Sequence, residues 1–201
     1  MAIKIVEPRL LLVEGKDDEK FFGALIRHLE IPNVQIIRIG SGREARKHLK
    51  AVKDTSGFHK VRSLGIVRDA DNYPDRAFQS ICDALDYAGL PVPDEPITPV
   101  GNNPCLAVLI LPGADKPGAL EDLCLQAVRG DPAMHCVNQY FKCLEGKGFS
   151  LPRNMSKAKV QVFLASKPKA LRLGEAAEAG FWPWDAKSFE HVKDFLQKLF
   201  T

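Results

Sequence analysis

Leu10-Leu11-Leu12-Val13-Glu14-Gly15-Lys16-Asp17-Asp18 reads as a strand that stops at an acid and turns straight into a helix. Four apolar residues in a row fit a strand covered on both faces, as at the centre of a parallel sheet. Gly15 permits the sharp turn. Asp17 or Asp18 can cap a helix whose apolar residues are Phe21, Phe22, Leu25, Ile26 and Leu29. Glu14 is thereby placed at the carboxyl end of a strand, the edge where open α/β sheets bind ligands. Alone, the stretch reads better as a strand-turn-helix whose acids are caps and solvated charges.

A second strand end changes that balance. Val61 to Arg68 is strand-like and runs into Asp69-Ala70-Asp71-Asn72-Tyr73-Pro74. Side chains two apart on an extended segment point the same way, so Asp69 and Asp71 are expected to present two carboxylates to one point. Such a pair is costly unless a cation neutralises it. Hard oxygen ligands suit Mg²⁺ or Mn²⁺.

Between these ends, Val34 to Ile39 reads as another strand, followed by Gly40-Ser41-Gly42 and a helix from about Arg43 to Lys53. Backbone N–H groups around Gly42 can face an anion, or the segment is a turn with no ligand. No GK[ST] closes a Walker loop there. Ser41 to Arg68 holds eight lysines and arginines against two acids. Arg43, Lys47 and Lys50 fall on one helical face, which suits a polyanion or is simply solvated. Leu106 to Leu111 is a fourth strand, and a helix beginning near Ala119 carries Glu121 and Asp122. Those two acids either complement the helix dipole or join the site. Pro91 to Pro104 is irregular, with a short strand expected at Ile97-Thr98.

Alternating strands and helices predict an α/β fold with a mostly parallel, doubly wound sheet of about four to five strands, over residues 1–130. Residues 131–201 carry helical signals only, near Ala133 to Leu144, Lys157 to Ser166 and Ser188 to Phe200. They are expected to form a helical elaboration packed on the sheet, with Phe181-Trp182-Pro183-Trp184 anchoring the last helix.

With 201 residues, 45% of them hydrophobic, the chain can bury a sizeable core. Its net charge of +3 does not by itself announce a polyanionic partner. No apolar run is long enough for a membrane span, and the first residues lack a signal core, so a cytoplasmic location without membrane association is expected. The five cysteines are scattered and odd in number, which predicts free thiols. His135-Cys136 with Cys143 matches no standard zinc spacing.

Val13-Glu14-Gly15-Lys16-Asp17-Asp18 resembles the first Toprim motif, and Ile66-Val67-Arg68-Asp69-Ala70-Asp71 resembles the second. Toprim domains occur in topoisomerases, bacterial primases, OLD-family nucleases and recombination proteins. In detail the chain resembles a prokaryotic family of stand-alone Toprim-like proteins related to the Toprim domain of OLD-family nucleases. That resemblance extends over the Leu111-Pro112-Gly113 and Gly118-Ala119-Leu120-Glu121-Asp122-Leu123 segments and over Gly174 to Ala177. Two departures stand out: no glycine closely follows Asp71, and the third acid of a DxDxD form is missing.

The resemblance implies a Toprim-like fold binding Mg²⁺ or Mn²⁺. Asp69 and Asp71 would hold the ion, and Glu14 would be a ligand or the general acid/base. Glu121 with Asp122 would complete a second metal site, and Lys159 and Arg172 would contact phosphate from the helical part. The expected function is metal-dependent, nuclease-like phosphodiester chemistry on DNA or RNA. The alternative is a Toprim-like module that binds metal, nucleotide or nucleic acid without turnover.

Overall fold

A computed structural model describes residues 4–169 and 171–201, with the side chain of Arg43 left out. Four strands, β1 (Arg9–Val13), β2 (Val34–Arg38), β3 (Ser63–Asp69) and β4 (Cys105–Leu111), alternate with α1 (Lys16–His28), α2 (Gly42–Lys53) and α3 (Pro74–Ala88). The strands form one sheet in the order β2-β1-β3-β4. Every pairing is parallel, with Leu11 opposite Ile36 on one side and Gly65 on the other. β1 is thus interior, as its unbroken apolar run requires.

Alternation along β1 sorts the two cores. Leu10 and Leu12 pack with α2 and α3, while Leu11 and Val13 pack with α1 and the later helices. All four are fully buried. The later helices are α4 (Leu120–Ala127), α5 (Pro132–Gly146), α6 (Met155–Ala165), α7 (Leu173–Glu178) and α8 (Glu190–Phe200). On α8, Val192, Phe195, Leu196, Leu199 and Phe200 make a single buried stripe at helical spacing. Each such side chain contributes roughly 1.5–3 kcal/mol on burial. Gly65 lets this helix lie directly on β3: a Cβ there would meet Leu11 Cδ1 at 2.8 Å and Leu199 Cδ2 at 3.1 Å.

Three expectations change. Ile97-Thr98 is not a strand. The irregular loop instead hydrogen-bonds along the outer edge of β4, where Ile97 N donates to Val108 O (2.7 Å) and Val100 exchanges bonds with Leu106 (2.8 Å each). The last helix begins later than expected, its first turn being a 3₁₀ turn at Lys187–Phe189. Third, α7 forms where the sequence showed no helical period, because six residues are too few to display one.

The tryptophans explain how α7 is held. The Trp182 ring stacks on Phe163 at 6.1 Å, and its Nε1–H donates to Leu173 O at 3.1 Å. Trp184 meets Phe21 at 5.2 Å and Phe189 at 5.4 Å. The aromatic segment therefore ties α6, α7 and α1 together as well as the start of α8. Among the described residues no helix is long and apolar enough to cross a membrane.

Candidate metal centre

Glu14, Asp18, Asp69 and Glu121 share the carboxyl edge of the sheet, around a cleft of about 400 Å³. Each reaches it by a different local device. Glu14 follows the last residue of β1 and is half-buried. Asp18 is the third residue of α1, and its Oδ2 accepts the Gly15 N–H at 3.0 Å, which folds its carboxylate back over the strand end. Asp69 ends β3. Glu121 is the second residue of α4.

The loops after β3 and β4 are tied together, and this fixes Glu121 relative to Asp69. Asp71 N donates to Gly118 O at 2.9 Å, and Gly118 N donates to Asp71 O at 2.7 Å. Leu120 N then donates to Asp69 Oδ1 at 3.1 Å, so Asp69 stands at the start of α4. Gly118 has φ +133, and a Cβ on it would strike Asp122 Oδ2 at 2.7 Å, so glycine alone fits.

The electrostatics follow from crowding and burial. Burial pushes the Asp69 carboxyl up to about 8, and the charges of Asp18, Glu14 and Glu121 add to that, against the Leu120 N–H. Burial also raises Glu14, opposed by Arg68 and the Asp69 N–H (3.3 Å) and reinforced by Asp18 and Asp71. Asp18 is raised in the same way, by burial first. Arg68 is a cation packed among these acids: Nη1 lies 2.6 Å from Glu14 Oε1. Its Nε and Nη1 are buried with no hydrogen-bond acceptor, so the contact is charge against charge with the N–H bonds directed elsewhere.

The expected residues fare differently. Glu14, Asp69 and Glu121 come together. Asp71 is exposed and has φ +50, so the chain is not extended through Asp69-Ala70-Asp71 and the two carboxylates are not presented side by side. Asp71 pairs with Gly118 at that turn, and its charge acts on Glu14 from the rim. Asp122 has a structural job: Oδ2 accepts the Ala119 N–H at 2.9 Å and Oδ1 accepts the Ser156 hydroxyl at 2.5 Å.

Gly40 and Ser41, rather than Gly42, line the cleft, and Glu44 lies beside them. On α2, Lys47 is exposed. Lys50 pairs with Asp54 at 2.6 Å, Arg46 stacks over Tyr87 at 4.0 Å and Lys53 over Phe58 at 4.9 Å. The expected stripe is thus partly spent within the protein, and the Arg43 side chain lies outside the described residues. Lys157, not Lys159, faces the acids, and Arg172 borders a neighbouring cleft.

The sequence reading missed Asp18 as a site residue and Lys157 altogether. The signal for Asp18 was its position one helical turn after Glu14. A donor set of half-buried carboxylate oxygens fits Mg²⁺ or Mn²⁺. Among the described residues, no three metal-ligating side chains are already gathered close enough to hold an ion, so ligation requires rotamer changes.

The architecture matches solved structures. The C-terminal region of the Burkholderia pseudomallei OLD protein aligns with a TM-score of 0.50 and 15% identity, over 98% of this chain and 100% of that one. The C-terminal region of the Xanthomonas campestris pv. campestris OLD protein, phased with platinum, gives 0.49 and 14%, over 96% and 95%. The first shows that the fold is the Toprim-like α/β fold of that OLD region. No curated protein matches the chain. The model of the family described as "Protein of unknown function (DUF3226)" matches residues 8–201, and the chain belongs to that family.

Proposed function

We propose that this protein performs metal-dependent phosphodiester cleavage on nucleic acid. The observation that carries the reading is the gathering of Glu14, Asp18, Asp69 and Glu121 around one cleft at the sheet edge, with Asp69 half-buried and its pKa pushed to about 8. Acids collected at such a cost mark a site adapted to a cation. The Toprim motifs in the sequence point the same way.

Asp69, Glu121 and Asp18 would hold Mg²⁺ or Mn²⁺, with Asp71 approaching from the exposed rim. The bound ion would supply Lewis-acid stabilisation of the phosphoryl oxygens and lower the pKa of an attacking water. Glu14, raised by burial yet kept beside Arg68, would serve as a ligand or exchange a proton at its Oε atoms as the P–O bond breaks. Lys157 would neutralise a substrate phosphate from the helical side of the cleft.

The test is cleavage of end-labelled DNA and RNA by the full chain with Mn²⁺ or Mg²⁺ and with EDTA. Wild type should cut with the ion and stop with EDTA. Glu121→Gln should slow cleavage by about a hundredfold or more. Asp122→Asn can still accept the Ala119 N–H and should stay close to wild type. Absence of cleavage with either ion, together with no Mn²⁺-dependent rise in melting temperature, would sink the reading in favour of a module without metal chemistry.

A further inference from the structure

A second cleft, of about 630 Å³, opens beside the acidic centre between α4, α6 and α7. The two share Asp17, Glu121, Lys157 and Leu173, so they form one continuous groove. The composition changes along it. At one end stand the carboxylates, and Lys157 and Glu121 lie at the junction. Beyond them, Val160, Leu164 and Leu171 provide an apolar floor, with Gln161 and Arg172 adding polar groups. Val160 and Leu164 are core residues, each only 2% exposed, so they fix the floor from beneath, while the half-buried Leu171 presents more of its surface.

The acids on this wall are partly spoken for. Glu175 accepts the Arg172 N–H at 3.1 Å and pairs with Lys20 at 3.4 Å, and Asp17 Oδ1 accepts the Gly174 N–H at 3.2 Å.

A phosphodiester seated at the carboxylates would place its neighbouring anionic oxygens toward Lys157. What is covalently next to a phosphate in a nucleic acid is a sugar and a flat base, apolar on its faces and hydrogen-bonding at its edge. The cleft offers the matching order of chemistry: a cation, an apolar floor, an amide and a guanidinium. Its volume suits a small organic group. A base paired in a duplex cannot enter without leaving the stack.

We propose that this cleft is a nucleobase subsite, and that the substrate presents an unpaired nucleotide next to the bond that is cut, in a single strand or at a frayed end. This rests on the phosphodiester reading above and adds the substrate class.

The test is binding, read separately from turnover. A single-stranded oligonucleotide carrying 2-aminopurine, and the same sequence as a blunt duplex, are titrated with the full chain at low ionic strength in Ca²⁺, a divalent cation available to the carboxylates. Wild type should bind the single strand about tenfold more tightly than the duplex, with a change in 2-aminopurine emission. Ala165→Trp and Gln161→Trp, both at exposed positions lining the cleft, should each fill it and remove that preference without lowering the melting temperature. Equal binding of single strand and duplex, no binding of either, or an unchanged preference in both folded variants would overturn the subsite. The Mn²⁺-induced melting shift of the wild type reads the acidic centre separately. A subsite that fails while this shift and cleavage persist leaves the phosphodiester reading standing.

Discussion

Asp69 is a half-buried carboxylate that receives one N–H and faces three other acids. Its folded pKa of about 8, against an ordinary 3.8, means the metal-free fold retains a proton that the unfolded chain releases. The stability associated with the proton is present below the unfolded value and is lost as pH rises through the window up to the folded one. Asparagine cannot ionise, so Asp69→Asn should melt higher than wild type in EDTA at pH 7–8, and the gap should vanish near pH 4. Mn²⁺ should raise the wild-type melting temperature and leave the variant's unmoved. A scan of melting temperature against pH, with and without the ion, checks this; a lower variant melting temperature at pH 8 would contradict it.

At this scale the sequence was legible where a residue's place follows from its own strand. Glu14 and Asp69 announced themselves because each ends an apolar run. Asp18 read only as a cap, because a carboxylate that caps a helix from its third position also hangs over the preceding strand end, and the sequence shows just the first of these. Lys157 and Lys159 could not be told apart. They lie about 200° apart around a helix, and nothing local says which face of α6 meets the acids.

Among the elements, α7, like α8 over Gly65, takes a position that depends on a missing side chain. Gly174 presses against α1: a Cβ there would lie 2.7 Å from Asp17 O and 2.7 Å from Lys20 Cβ. The backbone oxygen cannot swing aside, so Gly174→Ala should force α7 away from α1 at a cost of roughly 1–3 kcal/mol. Gly146, the last residue of α5, has open space around its would-be Cβ, and Gly146→Ala should be neutral or stabilising by up to about 1 kcal/mol. Paired denaturant melts check the opposite signs. The sequence located the α/β alternation well, since four apolar strands with intervening helical periods leave few arrangements. It could not foresee that the six-residue α7 is fixed by contact with α1, because that partner is about 150 residues away in the chain, or that Trp182 folds back onto it, because the aromatic segment read as an anchor for the last helix.

At the scale of the whole molecule, a net charge of +3 leaves the proposed nucleic-acid affinity to local cations. Lys47 is exposed on α2, while Lys50 is held by Asp54. Plots of log affinity against log salt should therefore flatten by about one unit for Lys47→Ala and stay nearly parallel to wild type for Lys50→Ala. Identical slopes for all three proteins would remove α2 from the interface.

The position of α8 has a further consequence, for synthesis. All four strands have been made by Leu111, yet the face carrying Leu11, Val67 and Leu109 is closed by the last helix of the chain, with Leu199 against Gly65. A nascent chain must therefore carry an open apolar sheet face through the making of about ninety further residues, on the order of several seconds at ribosomal speed. Chaperone engagement during translation is expected to peak in that interval and to end when α8 docks.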